Sequence, residues 1–192
     1  MTARQNLIIA ITGASGAIYG INLLKLLQDI PEIETHLVIS DAGKKTIVHE
    51  TGLTVEQVES LADHVYSQQD IGAAIASGSF ESCGMVVAPC SMRTLAAVAN
   101  GFCDNLITRA ADVILKERKI LVLMTRETPL NLAHLRNMAS VTEMNGIIFP
   151  PVPSFYDHPQ NIDAMVNQTL RSVMALFRIN DGRLITWKGL SD

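Results

Sequence analysis

At 192 residues the chain suits one domain with a sizeable core, and no apolar run approaches the length of a membrane span. With 48% hydrophobic but only 18% charged residues, it has apolar surface for other subunits to cover, so an oligomer is expected. A net charge of −4 without a basic block argues against nucleic acid as the main partner. Three cysteines without a C-x-x-C spacing suggest neither a disulfide framework nor a zinc site. These features suit a reducing cytoplasm, and the apolar run at 6–11 is too short for a signal-peptide core.

The first apolar run, Leu7 to Ile11, meets Thr12-Gly13-Ala14-Ser15-Gly16 and then apolar residues at Ile18, Ile21, Leu24 and Leu27. This predicts strand, tight turn and helix. The turn offers flexible backbone and unpaired helix N–H groups, which suit an anion such as phosphate. The glycines follow neither G-x-G-x-x-G nor a P-loop pattern, and glycines used only for packing would look similar. After Pro31, Thr35 to Ser40 is a second strand, and Ser40 caps a helix to about Glu50. A short helix follows over about Thr54 to Ala62, and the polar stretch 67–82 gives no assignment. Met85 to Pro89 is a third strand, turning at Cys90 to Thr94 into a helix that ends near Gly101. Next come a helix from Asn105 to Arg118, a strand from Ile120 to Thr125 and a turn at Arg126 to Pro129. A helix from about Asn131 to Met144, closed by Gly146, leads to a fifth strand, Ile147 to Phe149. A proline-rich loop, Pro150 to Pro159, precedes the final helix, Ile162 to Phe177.

Apolar strands alternating with helices predict an α/β fold, a doubly wound parallel sheet covered on both faces, in a single domain over 1–192 with 178–192 as a tail. Ligands of such sheets sit beyond the carboxyl ends of the strands. Those ends carry Gly13 to Ser15, Ser40, Ser91 to Thr94, Arg126-Glu127 and the loop to Tyr156, a set suited to a phosphorylated, ring-bearing cofactor. Ser40 and Ser91 are equally natural helix caps. Arg109 and Lys116 lie seven apart on one helix face and can address one anion, or Asp112 can pair with either. The five histidines lack metal-ligand spacing and are expected to be structural or exposed. Cys90 is expected as a buried small residue, and Trp187 as packed on the body or a neighbour.

Six ordered motifs resemble one known family. Thr12-Gly-Ala-Ser-Gly-Ala17, His36-Leu-Val-Ile-Ser40, Pro89-Cys-Ser-Met-Arg-Thr94, Arg109-Ala-Ala-Asp-Val-Ile-Leu-Lys-Glu117, Arg126-Glu-Thr-Pro129 and Phe155-Tyr156 look like the UbiX (Pad-type) flavin prenyltransferases, from about Leu7 to Phe177. The resemblance implies a flavodoxin-like sheet and homo-dodecamers with active sites at subunit interfaces. The implied reaction joins reduced FMN to dimethylallyl phosphate, without a metal, giving a prenylated flavin for a UbiD-type decarboxylase. It assigns Gly13, Ala14, Ser15, Ser40, Ser91, Met92, Arg93, Thr94 and Arg126 to FMN, with Ser15 near N5. It assigns Arg109, Lys116 and Tyr156 to the prenyl phosphate, and Ser15, Glu50 and Glu127 to proton handling, with Glu50 reaching a neighbouring subunit's site. The family pattern places an arginine sixteen residues after the tyrosine, where this chain has Ser172. Arg171 is one residue away, a turn of about 100° on a helix, and Arg171 and Ser172 are the substrate-binding candidates at this phosphate contact. Two alternatives are an FMN-dependent cysteine decarboxylase and a non-catalytic FMN carrier. The Arg109/Lys116 pair and Tyr156 speak against the first, and the carrier has no use for an allylic phosphate pocket.

Overall fold

The computed structural model describes residues 4–156, 158–185 and 189. Six parallel strands form its sheet: β1 Gln5–Ile11, β2 Ile33–Ile39, β3 His64–Tyr66, β4 Gly84–Cys90, β5 Ile120–Thr125 and β6 Ile147–Ile148, in spatial order β3-β2-β1-β4-β5-β6. The chain winds outward from β1 in one direction through β2 and β3, then returns to β4 and winds the other way. The order therefore reverses between β1 and β4, and a crevice opens above their carboxyl ends.

Among the described residues seven α-helices cover the faces: α1 Ala17–Gln28, α2 Asp41–Thr51, α3 Val55–Glu59, α4 Met92–Ala99, α5 Leu106–Lys116, α6 Leu132–Glu143 and α7 Ile162–Leu176. Alternation along the strands splits the core into two layers. Leu7, Ile9 and Ile11 face one layer with Leu23, Leu24 and Leu170, while Ile8 and Ala10 face the other with Leu95, Leu106 and Ile107. Each fully buried aliphatic side chain of this kind contributes about 1.5–3 kcal/mol. Close packing at the centre requires glycine: a Cβ at Gly20 would strike the Ala88 carbonyl and lie 2.6 Å from Ile11 Cγ1. That contact seats α1 on the seam between β1 and β4.

The structure adds one strand to the five expected. β3 has three residues, His64 and Val65 are exposed, and it pairs on one side only, with β2. A short polar edge strand carries no alternating apolar signal. The α3 helix is shorter than expected, because Leu61 and Ala62 donate to the carbonyls three residues back and close the last turn after Ser60. Within the segment expected as a tail, Asp181 accepts from Arg171 Nε at 2.8 Å and the Ile185 carbonyl accepts from Gln168 Nε2 at 2.9 Å, so this stretch is strapped to α7. Trp187 lies outside the described residues.

Candidate functional site

Thr12 joins the two loops at the crevice. Buried to 1% exposure, it donates its hydroxyl and its amide to the Pro89 carbonyl at 2.7 and 3.2 Å, and its hydroxyl accepts from the Ser91 amide at 2.9 Å. The glycine-containing loop after β1 and the serine turn after β4 are thereby held as one unit. Gly13 follows, where a Cβ would collide with Ala42 at the start of α2. Gly16 takes a left-handed conformation, φ 101°, and begins α1 with no capping side chain of its own.

Glu50 supplies that cap from a different helix. Its Oε2 accepts from the Gly16 and Ala17 amides at 2.8 and 3.1 Å, and the Ser15 hydroxyl lies near enough to the same carboxylate to favour its charged form. A carboxylate at a helix N-terminus also meets the positive end of the helix dipole. Desolvation raises the Glu50 pKa, but the bonds from Ser15, Gly16 and Ala17, with the charge of Arg126, hold it below the usual carboxylate value. Glu50 thus sits beside Ser15 of its own chain. Tyr19 stands over Gly16, and burial raises its pKa while nearby Arg126 opposes the rise. Ser15, Glu50, Tyr19 and Arg126 therefore share one neighbourhood at the end of β1 and β5.

Beyond Gly13 lies a cleft of about 480 Å³, lined by Ser40, Asp41, Ala42, Gln68, Ser91, Arg93, Thr94, Asn105 and Ile107. Three of these residues are helix caps. Ser40 Oγ accepts from the Gly43 amide, Ser91 Oγ from the Thr94 amide, and Asn105 Oδ1 from the Ile107 and Thr108 amides. The N-termini of α2, α4 and α5 consequently open on one space, which favours an anion. Capping leaves the amides of Met92 and Arg93 without partners among the described residues, and no acid stands in the first turn of α4. These free donors, the glycine approach at Gly13 and the hydroxyls of Ser91 and Thr94 fit a phosphorylated ligand such as FMN. Met92 offers the cleft its amide rather than its side chain, which packs on the core. Arg93 extends outward to Asp104, 2.7 Å away.

The other expected residues are more dispersed. Glu127, at the exposed end of β5, accepts from the Thr128 amide, and no hydrogen bond among the described residues joins it to Ser15 or Glu50. Arg109 pairs with Asp112 at 2.7 Å, and Lys116 pairs with Glu117 beside Gly78. They occupy the first and last turns of α5, about 10 Å apart along its axis. In the single chain each cation is held by its own acidic partner. Tyr156 lies in the loop after β6 and is 44% exposed. Arg171 is bound to Asp181 with only 14% of its side chain exposed, and Ser172 donates to the Gln168 carbonyl.

Cys90 is fully buried and its thiol pKa is pushed far up by desolvation, which removes it as a nucleophile. His36 is a satisfied structural histidine, bonded to Tyr66 and Asn6 and stacked on His64; burial lowers its pKa to about 4. Sequence reasoning missed the Thr12 stitch, the cleft residues Asp41, Ala42, Gln68 and Asn105, and Tyr19. Of these only Asn105 had a signal, as the cap of a strongly patterned helix.

Comparison with known proteins follows the same lines. The Flavoprotein family model matches residues 1–174. The flavin prenyltransferase UbiX of Neisseria meningitidis serogroup B is 53% identical over 188 residues, covering 98% of this chain and 99% of that protein. A crystal structure of AnUbiX (PadA1) in complex with FMN and dimethylallyl pyrophosphate superposes with a TM-score of 0.95 at 46% identity, covering 98% of this chain and 100% of the other. A dodecameric FMN-dependent Ubix-like decarboxylase from Escherichia coli O157:H7 superposes with a TM-score of 0.94 at 43% identity, covering 96% and 100%.

Proposed function

The chain belongs to the Flavoprotein family and, within it, to the UbiX flavin prenyltransferases, and from that footing we propose how its residues serve the reaction. It transfers the dimethylallyl group of dimethylallyl phosphate to reduced FMN, forming bonds at flavin N5 and C6. The observation that carries the assignment of roles is the cluster of Ser15, Glu50 and Arg126 beside a cleft of free amides and hydroxyls.

The Ser91 to Thr94 turn, Ser40 and the Gly13-Ala14 backbone hold FMN, with the cleft amides on its phosphate. Arg126 adds its charge to the hydrogen bonds that hold Glu50 ionised, and its cation would stabilise negative charge developing on a bound flavin. The Glu50 carboxylate accepts the Ser15 proton and can relay it, so this pair orients and moves a proton at the reacting end. Glu127, exposed at the end of β5, is the second proton carrier, for ring closure at C6. Departure of the allylic phosphate is assisted by Arg109, Lys116 and Tyr156. We infer that a second copy of the chain completes each phosphate site. We place the active sites at subunit interfaces in a homo-dodecamer. Its exposed apolar side chains, among them Leu132, Leu135, Val152 and Phe155, are the surface that such contacts cover. The prenylated flavin then serves a UbiD-type decarboxylase, and the setting is cytoplasmic, in keeping with the free cysteines.

Mass spectrometry of the flavin after anaerobic incubation with reduced FMN and dimethylallyl phosphate tests the function. Gain of one prenyl unit is expected. Recovery of unchanged FMN from a protein that binds it would sink the transferase and leave a flavin carrier.

A further inference from the structure

The cleft has a second polar end, beyond Ser91 and Thr94. Gln68 lies there, two residues past β3, lining both the cleft and a smaller hollow bordered by Arg93, Asp104 and Asn105. Its main chain is fixed, because its carbonyl accepts from the Leu106 amide at 2.8 Å and ties the exit of β3 to the start of α5. Its half-buried side chain is uncommitted: among the described residues the carboxamide has no hydrogen-bond partner. Its neighbours are engaged. Arg93 binds Asp104, Asn105 caps α5 and donates to Asp104, and the Thr94 hydroxyl bonds Ser91.

Two features say what the free amide addresses. Ser15, Glu50 and Arg126, assigned to the reacting end, are not among the residues that line the cleft, whereas Gln68 is, which puts Gln68 at the part assigned to the flavin's phosphate. The first turn of α2 carries Asp41, whereas that of α4 carries no acid and leaves the Met92 and Arg93 amides unpaired. An anion is thus steered toward α4, next to Gln68, and a neutral donor adds a bond there without adding charge.

We propose that Gln68 is a positioning residue for the phosphate of FMN, donating from Nε2, and that it makes the cleft distinguish FMN from unphosphorylated riboflavin. This rests on the assignment of the cleft to FMN. Dissociation constants for FMN and riboflavin, read by quenching of flavin fluorescence, test it on the wild type, Gln68→Leu and Gln68→Glu. The wild type should prefer FMN. Gln68→Leu should reduce that preference about tenfold, as expected for one lost hydrogen bond to a charged group, while riboflavin binding stays unchanged. Gln68→Glu should weaken FMN further, through repulsion between its carboxylate and the phosphate. An unchanged preference in Gln68→Leu, or equal weakening of both flavins, would overturn the proposal while leaving FMN as ligand. Failure of the wild type to bind either flavin would instead remove the assignment of the cleft, and the role of Gln68 with it.

Discussion

Glu50 combines two tasks in one carboxylate, and they can be separated by substitution. It caps α1 through two backbone amides and holds the Ser15 hydroxyl, so Glu50→Gln keeps the size but removes the charge. Prenyl transfer is expected to fall by about 10²-fold or more in a turnover assay, as for a lost acid–base group, with about 1 kcal/mol of stability lost from the cap. The sign of the pH effect follows from the lowered pKa. The folded state binds the Glu50 proton less readily than the unfolded chain, so its contribution is fully present above the ordinary carboxylate value and is lost as pH falls through the lowered one. An acid titration followed by circular dichroism should therefore show a smaller loss of stability below about pH 5 in Glu50→Gln than in the wild type. Thr12 is a different kind of residue, with no part in the chemistry. Thr12→Val removes the hydroxyl that both donates to Pro89 and accepts from Ser91, leaving the Ser91 amide without its partner. A loss of about 1–3 kcal/mol in urea unfolding is expected, with weaker FMN binding in the same variant.

At the level of elements, α7 shows how a one-residue offset decides a role. Arg171 points to Asp181 and straps the following chain to the helix, while Ser172 turns onto its own helix. Arg171→Ala should cost about 1–2 kcal/mol in thermal or chemical unfolding, because it leaves the Asp181 carboxylate, at 8% side-chain exposure, with the Arg183 amide as its remaining hydrogen-bond donor among the described residues. Its effect on the affinity for dimethylallyl phosphate should be small. The major elements were legible in the sequence because their signals are local. Runs such as Leu7 to Ile11 and Ile120 to Thr125 are buried along almost their whole length, Ser40 and Ser91 cap helices where expected, and Thr54 and Asn105 stand as caps at the predicted starts of theirs. The β3 strand was not, because three residues at a sheet edge are fixed by pairing with β2 rather than by their own pattern. The candidate site divides the same way. Ser40 and Ser91 lie at strand ends that periodicity identifies, whereas Gln68 reaches the cleft only because β3 exists. The Arg109 and Lys116 spacing placed both on one helix but could not show that each has its own acidic partner.

For the whole molecule, apolar side chains left in the open by one chain point to assembly. On α6, Leu132 is 60% and Leu135 50% exposed, three residues apart on a helix with a single buried residue, Val141. Replacing both leucines with glutamate should leave the single chain folded, since neither belongs to the core. It should lower the mass seen by analytical ultracentrifugation and abolish prenyl transfer together, because the phosphate site needs a second copy. A mutant that stays active as a monomer would show that one chain suffices. The Thr12 stitch has a consequence on another timescale. The Ser91 amide lies just outside the sheet ladder yet is bonded to a buried hydroxyl of the opposite loop, and the Thr12 amide is bonded to Pro89. Neither amide can meet solvent unless the seam between β1 and β4 parts. In native-state hydrogen–deuterium exchange the two should therefore exchange together and late, in step with the central strands, and at a rate insensitive to motions of the exposed loop that carries Tyr156.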